Sequence, residues 1–411
     1  MVRIRVRGGA LQYVLAVSIV IAGLILSLLI QIHYLTFVQS EIFSQKQSDL
    51  LAESCFEISM SLNPEPYQRE VDLSLLKLRD SDSMEFTTRP WGAYMAHTSI
   101  ASFQGQRSIL SALIGYSLKD RKIPSSLIHP SSNLRLNLVG ETRIEGDIQV
   151  PQGKIFSGRI GNRRFTGDTI CTCETEESNP ILSNLPDYLL TYLDSMIYGA
   201  HELHYSGGAS SLNGEWTDST RLYWRSSILN DTIIGNIIIY HPDVIIIGPH
   251  AVLEDCLLLS KNIIFLEGFS GAVHGIFTDT CIVGADVSLN YPSSIIGYNK
   301  IERPHLSFEE GSHFEGVVVS YSSIASRSEI DVSIDKQSSI LGLLYSNGSV
   351  DFKGVLEGSL QVNRFVSNLR GGIIENHLID VSIAPFSISD FSGSSLYSDS
   401  TTTTTIAKWL D

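Results

Sequence analysis

The chain has 411 residues, 29 Lys+Arg against 44 Asp+Glu, and a formal net charge of −15. At roughly 100–200 residues per domain it has room for two or three domains, and an apolar content of 43% excludes wholesale disorder. An acidic balance without a basic block lacks the cations that neutralise phosphates, so nucleic acid is not an expected partner. Five Cys exclude a disulfide-dense scaffold.

The chain begins with Arg3, Arg5 and Arg7 and no acidic residue, followed by an uncharged apolar run from Leu11 to Ile32. About 20 apolar residues in a helix cross a ~30 Å hydrocarbon core. The spacing makes Leu11, Leu15, Ile19, Leu24, Leu28 and Ile32 the membrane anchor. Positive charge stays cytoplasmic, so the expected topology is single-pass, with the N-terminus inside and the bulk of the chain extracytoplasmic. A cleaved secretory signal fits less well, because its apolar core spans roughly 7–15 residues and ends in small residues, whereas this run ends in Gln31, His33 and Tyr34.

The segment RVRGGALQYVLAVSIVIAGLI, a short basic leader, a Gly and then an apolar helix, resembles the start of prepilin-like proteins. The resemblance is to K-type minor pseudopilins and X-type minor pilins, and it covers this N-terminal segment alone. It implies cleavage after Gly8, with Gly9 as the mature N-terminus. The Glu that major pilins carry at mature position five is replaced here by Tyr13, and K-type members lack that Glu too. A plain uncleaved anchor is the other reading of the same residues. Leu51, Cys55, Ile58 and Leu62 share a helical face, which carries the helix to about residue 62, where Asn63-Pro64 ends it.

After Pro64 the chain reads as β. Leu134, Leu136 and Leu138 alternate with polar residues, and Gly recurs at 140, 146, 153, 158, 161 and 167. One helix interrupts after Pro186, with Leu189, Leu193, Met196 and Ile197 on its apolar face and Gly199 at its end. From Thr232 short runs such as IIGNIIIY, DVIIIG, CLLLS and NIIFLEG follow one another, many closed by Gly. Continuous apolar runs suit a parallel sheet buried on more than one side, and the spacing predicts a β-solenoid, with a β-sandwich as the alternative. Ile245, Ile247, Ile264, Leu266, Ile282 and Ile296, each close before a Gly corner, are its expected inward residues. The short runs stepping between corners resemble right-handed parallel β-helices and polymer-forming solenoids. The expected organisation is a leader (1–9), transmembrane helix (10–33), exported helix or stalk (34–63), β-rich domain (64–180), helical and loop insert (181–230), solenoid-like domain (231–392) and low-complexity tail (393–411). Five consecutive Thr read as a tether, with Ile406, Trp409 and Leu410 placed to dock back.

Chemical motifs are sparse. Cys171 and Cys173 form a C-x-C without the second pair that a tetrahedral metal site needs. Cys256 and Cys281 read as buried thiols. His201 and His204 are three apart, not the four of a zincin helix. Asp231, Asp243 and Asp255 recur at a constant interval. β-Helix carbohydrate enzymes assemble carboxylates from neighbouring turns, so these three form an alternative acid–base set, against the simpler reading of solvated corners. No motif calls for a cofactor or metal. The composite expectation is a membrane-anchored envelope or surface assembly protein, pilin-like in its helix, whose partners are the lipid bilayer and assembly subunits. A membrane-anchored carbohydrate-active or carbohydrate-binding protein is the alternative.

Overall fold

The computed structural model describes residues 9–61, 83–117, 126–130, 135–167, 174–199, 211–216, 218, 220–223, 228–324, 329–369, 372–386, 391–394 and 403–410. The chain is mainly β, with one long apolar helix at its start, and it divides into two compact units. Leu62, Asn63 and Pro64, read as the end of the helix, lie outside the described residues.

The first unit holds Met1–Glu57, Glu70–Phe86 and Ser99–Leu110. Helix α1, Gly9–Ser61, begins in it. The packed face of α1 is wider than the expected one, to which Cys55 and the half-buried Leu51 do belong. Small and polar residues, Ser44, Ser48, Ala52 and Cys55, are buried, while Leu51 is only half-buried. The reason is close approach of a backbone. Ser48 donates to the carbonyls of Ala101 (3.1 Å) and Gln106 (3.2 Å), and the carbonyl of Ala52 accepts from Ser99 Oγ (3.0 Å). Met84, Phe86 and Ala101 complete this small core.

The second unit holds Ile58–Arg69, Thr87–Thr98 and Ser111–Asp411. Its main feature is a closed sheet of largely parallel strands. Each pass of chain pairs in register with the previous one: Ile233 lies beside Leu253, Ile245 beside Ile263, Ile263 beside Cys281, and Ile276 beside Ile296. The next two passes are longer, setting Cys281 beside Leu306, Leu306 beside Val332 and Val318 beside Leu344. The last pass shortens again, with Val332 beside Val350 and Leu344 beside Leu360. The extra residues fall between Asn299 and His305 and between Ser322 and Val332, at one corner. Register breaks between Glu254 and Leu257 and between Ser260 and Asn262 divide a pass into three short runs. Tight turns then join the passes, at Leu266–Phe269, Gly284–Val287, Glu309–Ser312 and Asp335–Ser338. This pairing is parallel, unlike the antiparallel sheets of the sandwich alternative.

The runs differ in what they bury. In Val252–Phe265 the last run alternates: Ile263 and Phe265 are fully buried, Ile264 half-buried. The next pass repeats this, with Cys281 and Val283 inward and Ile282 outward, in register with Ile264. Four of the expected inward positions are therefore corrected. Ile264, Leu266 and Ile282 are not core residues, because the pleat sends alternate side chains to opposite faces. Ile296 is buried, but in the outer cluster rather than the inner one. Ile245 and Ile247 do lie in the inner core.

The middle run is buried on both faces, which accounts for the unbroken apolar triplets. Cys256 and Leu258 face the inner core, while Leu257 and Leu259 join an outer cluster. That cluster is covered by Trp91, Tyr94 and Leu113 and by helix α2, Asp187–Gly199, through Leu189, Tyr192 and Leu193.

The boundaries expected at 181 and 231 do not separate bodies in space. Leu356 pairs with Ile383, Ile383 with Ile144, Leu360 with Leu127 and Leu127 with Ile148, all parallel. The described strands between Leu127 and Glu177 thus continue the stack beyond its C-terminal pass. The chain then returns along the covered face. The Ser183 carbonyl accepts from Tyr345 (2.7 Å), and Asp194 accepts from Tyr298 (3.0 Å) and Lys300 (2.7 Å). The segment read as a tether also contributes a strand, Thr404–Leu410, antiparallel to Gln106–Ser117.

Candidate functional site

The anchor residues lie on a stretch of α1 with no covered side. Leu11, Leu15, Ile19, Leu24, Leu28 and Ile32 are 58–74% exposed, and every other residue between them is exposed too. Gly9 has nothing within 4 Å of where a side chain would stand, and Gly8 lies outside the described residues. At about 1.5 Å per residue, the Leu11–Ile32 stretch measures roughly 33 Å, so this helix is long and apolar enough to cross a membrane.

The ladder does not bring the three aspartates together. Asp255, with φ +57°, occupies the bend between Glu254 and Leu257. There its carboxylate takes an ion pair from Lys408 (2.8 Å) and its carbonyl accepts from Trp91 Nε1 (2.7 Å). Asp243 sits at the second bend, between His241 and Val244, and is exposed. Asp231 precedes the first run of its pass, its carbonyl accepting from Val252 N (3.0 Å). They occupy three different corners, because their interval is shorter than a full pass such as Ile263 to Cys281.

No protein family, curated protein or solved structure matches this chain. The site chemistry therefore rests on the residues themselves.

Cys256 and Cys281 are free and fully buried, and burial pushes both thiols well above their ordinary range. They belong to different runs of their passes and do not stack. Cys171, Cys173, His201 and His204 lie outside the described residues. Among the described residues no group of three or more His, Cys, Asp or Glu is placed to hold a metal ion. A hollow of ≈ 180 Å³ lined by Ile197, Tyr198, Thr278, Tyr298 and Asn299 is smaller than the roughly 300–1,000 Å³ of ordinary ligand pockets.

Sequence reasoning missed three buried histidines. His97 bonds Ser59 Oγ through Nε2 and Thr88 Oγ1 through Nδ1, both at 2.8 Å. His274 bonds Ser294 Oγ (2.8 Å), and His129 lies against Phe365. Burial lowers all three: His97 and His129 to about 4, and His274 to about 3 with Lys408 adding to the effect. The unfolded chain takes up these protons near pH ~6.5, while the folded chain refuses them until pH 4 or below. Their contribution to stability is therefore complete above about pH 6.5 and is lost progressively as the pH falls toward 4. Thermal melts are expected to drop steeply between about pH 6.5 and 4.5. His97→Gln, which removes the titrating group, is expected to flatten part of that slope. A melting temperature constant across this window would contradict the assignment.

Proposed function

We propose that this chain is a single-pass, membrane-anchored envelope or surface structural protein that displays a β-solenoid outside the membrane. The observation that carries the reading is the uncovered apolar stretch Leu11–Ile32, set against the buried cores of the described strands. Arg3, Arg5 and Arg7 ahead of it favour an N-in orientation. Parallel pairing of successive passes, with tight turns joining them, supports the solenoid. Such stacked parallel passes suit display or assembly.

A pilin-like subunit is the second reading, favoured by one further observation. Helix α1 runs on for 53 residues, bare at its start and packed at Ser48, Ala52 and Cys55, as expected of a helix that serves both bundle and headpiece. In that case Gly8 and Gly9 flank the processing site, and other pilus or envelope subunits are the partners. The carbohydrate-enzyme alternative loses its support, since Asp231, Asp243 and Asp255 lie at different corners.

Alkaline carbonate extraction tests the anchor. The full chain is expected to stay in the membrane pellet, while a chain lacking residues 1–33 is released. Intact mass of the pelleted protein separates a start at Met1 from one at Gly9. Release of the full chain by carbonate would overturn the anchored reading.

A further inference from the structure

The first runs of successive passes place one outward row of side chains in parallel register, Ser288 opposite His313 and His313 opposite Ser339. Glu315 lies two positions beyond His313 and so projects from the same face. Ser339 Oγ stands 2.7 Å from His313 Nδ1, and His313 Nε2 stands 2.9 Å from Glu315 Oε1. One imidazole tautomer satisfies both contacts. Nε2–H donates to the carboxylate, and the Nδ1 lone pair accepts the serine hydroxyl proton. The second carboxylate oxygen, Oε2, accepts from the backbone N–H of Tyr291 (3.2 Å), which fixes the acid in place. His313 is 42% and Glu315 30% exposed, so the group is open to solvent rather than sealed in a core.

The geometry points to Ser339, His313 and Glu315 as a nucleophile–base–acid relay that transfers an acyl group from a carboxylic ester to water. The roles follow from hydrogen-bond order, with the two ring nitrogens exchanged relative to the usual serine hydrolase arrangement. Ser339 Oγ forms a bond to the ester carbonyl carbon as its proton passes to Nδ1 of His313. The tetrahedral adduct collapses, the ester C–O bond breaks, and the departing alcohol leaves with that proton. Water then attacks the acyl-serine, giving its proton to His313, and the carboxylic acid departs as Ser339 regains its hydrogen. Glu315 holds the ring and offsets the charge of the imidazolium.

The surroundings set the substrate class. On this face the preceding pass presents Ser288 and Asn290, and the following one Val355, 48% exposed, and Glu357. Among the described residues these are side chains of a sheet surface, without walls that would enclose a long acyl chain. The fitting substrate is a small acyl ester on an alcohol that can lie along the sheet. Ser339 donates its own amide to the Ser312 carbonyl (2.9 Å), so that amide is not free to hold an oxyanion. General-base assistance alone supplies about 10²–10⁴-fold, and the hydrolysis is accordingly slow.

The full chain in detergent is treated with a fluorophosphonate probe, and the adduct is located by peptide mass spectrometry. The expected result is a phosphonyl group on Ser339, with labelling lowered at least about 100-fold by His313→Ala and about tenfold by Glu315→Gln. Ser307→Ala, on a different run and away from the relay, is expected to label as the parent chain does. Slow p-nitrophenyl acetate hydrolysis should disappear in Ser339→Ala with the melting temperature unchanged. Absence of an adduct at Ser339 in the parent chain, or labelling that survives His313→Ala, overturns the proposal whatever the variants do to folding.

Discussion

Gly342→Ala is expected to lower stability by about 4 kcal/mol, the sum of ~1–3 for backbone strain and ~1–3 for overpacking. Gly316, Gly342 and Gly358 stand in register on consecutive passes. Their φ values are +140°, +152° and +143°, a region closed to side chains. A Cβ on Gly342 would stand 1.8 Å from the Gly316 carbonyl oxygen, and one on Gly358 1.9 Å from that of Gly342. The obstacle is backbone already committed to the sheet, so the clash is not relieved by rotating a neighbouring side chain. Gly268→Ala is the control. Its φ is also positive, +80°, but a Cβ there would meet only Pro249 at 4.0 Å, and the cost should be near ~1 kcal/mol. Urea unfolding of the full chain in detergent measures both. Equal costs for the two would show that conformation alone, not the stacked approach, limits these positions.

Arg303→Met is expected to cost about 3–5 kcal/mol, because it strands a buried carboxylate. Arg303 Nε donates to Asp331 Oδ1 at 2.6 Å, with the two side chains 7% and 2% exposed. The guanidinium also reaches Asn347 Oδ1 (3.1 Å) and the Ile324 carbonyl, while Asp331 Oδ2 accepts from Ser349 N (2.5 Å). This network ties together the corner where the two longest passes carry their extra residues, joining Arg303, Ile324, Asp331 and Asn347 across three passes. The double change Arg303→Met with Asp331→Leu should recover much of the loss, since apolar replacement of a buried pair is often neutral. Denaturation midpoints for both singles and the double close the cycle. A single change costing under about 1 kcal/mol would show the pair to be screened by solvent.

Local pattern alone determined several features. A long uncharged apolar run after three arginines specifies a long apolar helix wherever it occurs, and α1 spans Gly9–Ser61. Pro186 and Gly199 bracket α2, since a proline can open a helix and a glycine can end one. The predominance of β structure followed from Ile/Val-rich runs broken by glycine.

The tertiary structure decided the rest. Ile263 and Ile264 are identical side chains in adjacent positions, and only pairing with the next pass fixes which one enters the core. Leu257 and Leu258 are both buried because α2 and Trp91 cover the outer face, a long-range contact with no local mark in the sequence. The placement of Leu127 beside Leu360, more than half the chain away, depends on the chain returning past Tyr345 and Tyr298. The same rule governs the chemistry. The period of Asp231, Asp243 and Asp255 was legible, but the fold scatters them over three corners. His313 and Ser339, part of no sequence motif, become neighbours through the length of one pass. In a stack of parallel passes proximity is set by pass length, and pass length is set by corner insertions that only the folded chain reveals.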